Sequence, residues 1–420
     1  MNRNTNQYTY SIVIIGILFF IFGFVTWLNG TLIPFLKLAC HLETDAQALL
    51  VTFAFYMAYF FLAIPSSYIL NLTGFKKGMS LGLLVMAIGA IIFIPAAQSR
   101  TFGLFLTGLF VQGMGLALLQ TASNPYISII GPIESAAKRI SIMGICNKVA
   151  GALSPLILSA VVLSRATEIE SKIVAATDPV TKESLLNELA GRIILPYEIM
   201  AGVLVLLALM IYFSSLPEIE MGSEEGSNQT PKNKTSILQF PHLLLGVLCI
   251  FVYVGAEVMA GDVIGPYGRA IGLSLDETKI FTTYTLCSML VGYVIGIATI
   301  PKYIRQETAL KISALVGLLF SLLAYFTSGY VSIVCIALLG LANALMWPAI
   351  FPLAIDGLGK FTKIGSALLI MGIAGGAIIP QIYGKLTLSF EPQAAFLLCV
   401  LPCYLYILYF SMKGFKAGRA

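Results

Sequence analysis

Four polar side chains interrupt two long apolar runs. Gln120 and Asn124 lie in GMGLALLQTASNPYISIIGP, residues 113–132. Asn147 and Lys148 lie in RISIMGICNKVAGALSP, residues 139–155. In hydrocarbon each costs free energy unless it faces a partner or a water-filled cavity. Amides at such positions either hold helices together or line a site for a hydroxyl-rich solute. Four polar groups within 29 positions favour the site. Asn29, in TWLNGTLIP, is a further amide beside a helix-loosening Gly30 and Pro34. Asn343 adds one from ANALMWPAI.

Two carboxylates complete the set. Glu257 and Asp262 fall in YVGAEVMAGDVIGPYG. Glu257 is well inside its apolar run, whereas Asp262 is nearer the run's outer end, where a wet mouth is its expected setting. An unpaired charge at bilayer depth costs at least ~2.5 kcal/mol, so such a group binds substrate, carries a proton or pairs with a cation. Lys148 is the candidate cation, unless it snorkels to an interface. Trp27 and Trp347 are the two tryptophans, and both fall near the middle of apolar runs. An indole there either packs or covers the C–H face of a sugar whose hydroxyls bind the neighbouring amides.

The elements that must hold these groups are membrane helices. The chain has 420 residues, 58% hydrophobic and 11% charged, with a mean hydropathy of +0.91. Soluble domains carry about 25% charged residues. Twelve apolar segments are long enough to span at ~20 residues each: 11–38, 46–72, 78–97, 101–130, 138–164, 193–215, 239–268, 276–300, 308–328, 330–356, 361–388 and 392–412. The first lacks a small-residue cleavage site and reads as a helix, not a removed signal. Two connections are long: 165–192, of mixed charge, and 216–238, a polar Gly/Ser/Pro-containing linker.

The net charge of +5 is a topology signal and implies no nucleic-acid partner. With the N-terminus in the cytoplasm, the inner segments carry 15 Lys and Arg, among them Lys76, Lys77, Lys138, Arg139, Lys232, Lys234, Lys360 and Lys363, against 9 outside. That bias puts both termini and the linker inside. Seven cysteines are scattered without CxxC spacing, and the two histidines, His41 and His242, lie outside the apolar interior. No metal site, disulfide framework, cofactor or clustered nucleophile and base is expected, so an enzyme is not.

The two halves repeat. A shift of 225 positions carries Gly115 onto Gly340, Lys138 onto Lys363, Gly151 onto Gly376 and Pro155 onto Pro380. The expected domains are residues 1–215 and 239–420, six helices each, joined by 216–238. This is the layout of the major facilitator fold, whose site lies between the halves near mid-membrane. The basic Gly-turn of that fold is matched by Asn71-Leu-Thr-Gly74-Phe-Lys76-Lys77, with Asn71 where an acid is usual.

FGFVTWLNGTLIPFL, LLQTASNPYISIIGP, RISIMGICNKVAGALSP, YVGAEVMAG and NALMWPAIFPLAI resemble the fucose/galactose/glucose proton-symporter family of bacterial major facilitator transporters. The resemblance runs over nearly the whole chain. It is nearer the glucose/galactose and N-acetylglucosamine permeases than the fucose type, which has acids where this chain has Gly30 and Gln120. It implies a monomeric sugar importer of the bacterial inner membrane, working by alternating access and coupled to protons. Asn29, Gln120, Asn124, Asn147 and Asn343 would then take hydroxyls. Trp27 or Trp347 would cover the ring. Glu257, Lys148 and Asp262 would form the coupling set, with Glu257 carrying the proton beside Lys148 and Asp262 nearer the mouth. The Gly-rich stretches 144–151 and 372–376 would let their helices slide or bend. Sodium coupling, uncoupled diffusion and an anionic sugar bound at Lys148 stay open on sequence, as does a sugar sensor built on a transporter frame.

Overall fold

The computed structural model describes residues 2–129, 136–216, 236–300, 302–358 and 361–418. Twelve helices among these are long and apolar enough to cross a membrane: Tyr8–Ala39, Asp45–Leu70, Leu72–Ser99, Phe102–Asn124, Ile142–Val162, one within Pro179–Phe213, Pro241–Gly261, Leu275–Thr299, Gln306–Phe326, Gly329–Ile355, Ile364–Leu386 and Pro392–Met412. They are the first to twelfth spans below. The chain is a multi-pass membrane protein of two six-helix halves. The linker expected at 216–238 lies almost wholly outside the described residues. So do the side chains of Asn71, Lys138, Arg139 and Lys363.

Ile88, Ile91, Leu206, Phe213, Val294 and Leu319 point outward, where lipid is their solvent. Helices that all face lipid gain little by burying Leu against Leu, so small residues set the close contacts. The third and fourth spans illustrate this. A Cβ on Gly82 would lie 2.8 Å from the Gly115 carbonyl, and one on Gly108 would lie 2.9 Å from the Gly89 carbonyl. The pairs are seven residues apart on each antiparallel helix, so two full turns pack backbone to backbone. Between the second and third spans the chain reverses at Gly74, whose φ of 75° is the left-handed conformation that glycine adopts without a steric penalty.

Several spans are broken where the sequence places polar groups. The first breaks at Leu28, between Asn2–Trp27 and Asn29–Ala39. The seventh breaks after Gly261, before the short helix Ile264–Ala270. The tenth breaks after Asn343 and resumes at Met346, and the eleventh passes through a 3-10 turn at Gly372–Ala374. A broken helix frees backbone groups that hydrocarbon cannot satisfy. At the seventh-span break the eighth span supplies donors: Thr282 and Thr285 hydroxyls donate to the carbonyls of Gly261, at 2.8 Å, and Ala260, at 2.7 Å.

The halves meet along two seams, fifth span against eighth and second against eleventh. At the end away from the chain termini, here the far side, the seams are tied together. Gln381 donates to the Ala46 carbonyl, Arg269 pairs with Glu170, and Thr283 donates to the Ala152 carbonyl at 2.9 Å. The mixed-charge connection at 165–192 is ordered here as two helices, Ala166–Ala175 and Pro179–Gly191. Its Thr167 and Asp276 exchange hydrogen bonds across the halves.

Gly375 packs against the seventh span so tightly that a Cβ would fall 1.7 Å from the Phe251 carbonyl oxygen. Both partners are backbone, so a helix must move. Gly375→Val should cost about 1–3 kcal/mol of stability, read as a lower melting temperature of the purified protein. An unchanged melting temperature would contradict this packing.

Candidate functional site

The polar groups of the first, fifth and seventh spans converge at one point. Lys148 Nζ lies 2.8 Å from Glu257 Oε1, and the side chains are 9% and 11% exposed. The same ammonium sits 4.5 Å from the centre of the Trp27 ring. Trp27 is itself buried, at 2% exposure. Its indole occupies the space that a side chain would fill at Gly151 and Gly261, where a Cβ would come within 2.3 Å of the ring. The two glycines thus admit the indole, and the indole's face meets the cation. An ion pair with a ring face on one side is a favourable way to hold a charge away from water.

Tyrosines surround the pair. Tyr253, Tyr293 and Tyr404 lie within electrostatic reach of Glu257. Tyr404 donates to Asn343 Oδ1 at 2.9 Å, which leaves Asn343 Nδ2 buried without a partner. The Tyr253 ring is 6.4 Å from Trp347, which stacks on Phe351. Trp347 is half-buried, so it is the more accessible of the two indoles. On the other side, Gln120 Nε2 donates to the Tyr59 hydroxyl at 3.0 Å. Asn147 Nδ2 donates to the Phe19 carbonyl at 3.4 Å, a long bond. Behind Asn147, Gly23 leaves no room for a side chain: a Cβ there would lie 1.8 Å from the Asn147 carbonyl. Asn124 is half-buried on the fourth span.

Asn29 is fully buried, and neither its amide oxygen nor its nitrogen has a hydrogen-bond partner. Buried amides without partners cost about 1–3 kcal/mol each. Together with the free Asn343 nitrogen, they form a set of unmet hydrogen-bonding groups at the depth of the helix breaks.

Two sequence expectations need correction. Asp262 is not at a wet mouth. It is 0% exposed, because the seventh span breaks at this residue and the first and second spans close over it. His242 is also not peripheral to the interior. It is 2% exposed at the start of the seventh span, with Nε2 3.0 Å from the Asp356 carbonyl.

Sequence reasoning paired Lys148 with Glu257, which touch, and left Trp27 either packing or covering a sugar; its ring lies against the Lys148 ammonium. It missed Tyr56, Tyr59, Tyr293 and Tyr404 and the threonines of the eighth span. Tyr56 and Tyr59, spaced for one helix face, sit in FAFYMAYFF. An aromatic run of that kind reads the same whether it fills a core or lines a site.

Residues 15–380 match the profile of the Major Facilitator Superfamily. A glucose/galactose transporter of Brucella abortus is 34% identical over 414 residues, covering 98% of this chain and 95% of that protein. The L-fucose-proton symporter of Escherichia coli is 28% identical over 371 residues, covering 87% of this chain and 84% of that one. Among solved structures, a major facilitator transporter, FucP, in the outward conformation superposes with a TM-score of 0.74 at 26% identity. That match covers 96% of this chain and 98% of the other.

Proposed function

The chain belongs to the Major Facilitator Superfamily, and from that membership we propose that it imports a neutral monosaccharide with a proton by alternating access. The sugar class follows from the glucose/galactose and fucose transporters it is similar to. The observation that carries the reading is the Lys148–Glu257 pair, 2.8 Å apart and buried between the halves, with the under-partnered Asn343 linked to it through Tyr404. Hydroxyls donate and accept at once, so one monosaccharide can satisfy several such amides as it displaces water.

In this reading residues 1–215 and 239–420 rock about the site, with 216–238 as a cytoplasmic linker. The excess of Lys and Arg on the side of the termini supports both termini inside and a bacterial inner membrane, with the far side outward. Asn29, Gln120, Asn124, Asn147 and Asn343 take hydroxyls, and Trp347 covers the ring face while Trp27 backs the lysine. Glu257 carries the proton and Lys148 senses its charge. The occupied state of Lys148, held by Glu257 and Trp27, favours a neutral sugar over an anionic one. A protonated Glu257 would release the lysine and so loosen the contact between the fifth and seventh spans.

Gln120→Ala and Asn147→Ala should each abolish sugar uptake while the protein still reaches the membrane. Uptake in vesicles, normalised to protein amount, checks this. Normal uptake in both variants would remove the site.

A further inference from the structure

We propose that Asp262 is a second proton-carrying residue, distinct from the Lys148–Glu257 pair, and that its carboxyl must be neutral before the far side can close. The proposal rests on the reading of this chain as a proton-coupled carrier and adds a residue to it. Asp262 is 0% exposed, and both its carboxyl oxygens lack a hydrogen-bond partner. An ionised carboxylate in that position has no closed hydrogen bond to offset its lost hydration.

The groups around it explain why. The first span presents the Gly30 backbone and the second presents the Tyr56 hydroxyl; both lie beside the carboxyl without closing a hydrogen bond. The eighth span presents Thr282, whose hydroxyl is already spent on the Gly261 carbonyl. The charged groups within reach are Glu257, on its own helix, and Lys148 from the fifth span. Lys148 is already engaged by Glu257 at 2.8 Å. The cation nearest in sequence, Arg269, pairs with Glu170 across the halves. Asp262 therefore has a like charge five positions before it and no cation of its own.

Its place in the fold makes this matter. Asp262 stands where the seventh span breaks, facing the break in the first span. A Cβ at Gly30 would collide with the eighth-span Thr282, and one at Gly261 with Trp27. The carboxyl is thus enclosed only while both halves are closed around it. Parting the halves on the far side would wet it and let it ionise. A charge there then opposes closing, and a proton taken from the far side removes the opposition.

The test reads closure, not transport. Gln381 donates to the Ala46 carbonyl across the far-side seam, so Gln381→Cys reports whether that seam is open. The labelling rate by a membrane-impermeant maleimide would be measured from outside against pH, without sugar, after subtracting that of the protein lacking the Gln381→Cys change and dividing by that of a Ser389→Cys protein, whose exposed far-side position corrects for the rise of thiolate with pH. Labelling should accelerate as pH rises, by about tenfold per pH unit at the steepest if one proton is linked. Adding Asp262→Asn should leave labelling slow at every pH, while Asp262→Glu should keep a pH response. An Asp262→Asn variant that follows the parent's pH profile would overturn the proposal. So would a profile that Glu257→Gln, and not Asp262→Asn, flattens, or labelling that answers to sodium at fixed pH instead. If the profile behaves as expected but no sugar alters the labelling, Asp262 stands and the sugar assignment falls.

Discussion

Glu257→Gln should abolish uphill sugar accumulation in proteoliposomes: internal sugar should rise only to the external level, while exchange of labelled for unlabelled sugar continues. Glutamine keeps the shape of glutamate and its hydrogen bonds, but it cannot take up and release a proton. Glu257 holds Lys148 at 2.8 Å and has four tyrosines within electrostatic reach, Tyr56, Tyr253, Tyr293 and Tyr404. A proton arriving there cancels the charge that holds the fifth and seventh spans together. Coupling follows if that contact is strong in one state and weak in the other. Full accumulation by the glutamine variant would remove Glu257 from the coupling step.

Lys148→Met alone should be markedly destabilising, and the double variant Lys148→Met/Glu257→Gln should recover most of that loss without recovering accumulation. Removing one member of a buried pair leaves an uncompensated charge and costs about 3–5 kcal/mol, whereas replacing both is often close to neutral. The same penalty bears on Glu257→Gln, which strands the lysine on the Trp27 face. The double variant separates the two effects: its fold is relieved and its coupling is not. Melting temperatures of the four proteins in detergent, with accumulation measured alongside, complete the cycle. Equal melting temperatures for all four would mean that the pair makes no net contribution in the folded protein. Accumulation by the double variant would mean that it is structural only.

The layout was legible because hydropathy and charge are direct consequences of a lipid solvent. Each of the twelve spans has to satisfy its own backbone, so its length is written in the apolar run. The Lys148–Glu257 pair was legible for a related reason: two opposite charges at bilayer depth have few other ways to be stabilised. The helix break at Leu28 was foreshadowed by Asn29-Gly30 and Pro34, which loosen a helix. The burial of Asp262 was not foreshadowed. Its neighbour Gly261 reads as a loose helix end, whereas it admits the Trp27 indole. The tyrosines at 56, 59, 293 and 404 were missed because a tyrosine in an apolar run shows its ring in the sequence and not where its hydroxyl points. The helices within 165–192 were hidden by their mixed charge, which reads as a loop until Asp178 caps the second of them at Thr181.

Proton-coupled sugar import would show itself in uptake of labelled glucose, galactose and N-acetylglucosamine into proteoliposomes holding the purified protein. Each sugar would be offered with an inward proton gradient, an inward sodium gradient, and neither. One of these sugars should accumulate above its external concentration under the proton gradient and merely equilibrate under the other two conditions. Equilibration under all three conditions, accumulation driven by sodium, or no uptake of any of the three would contradict proton-coupled import.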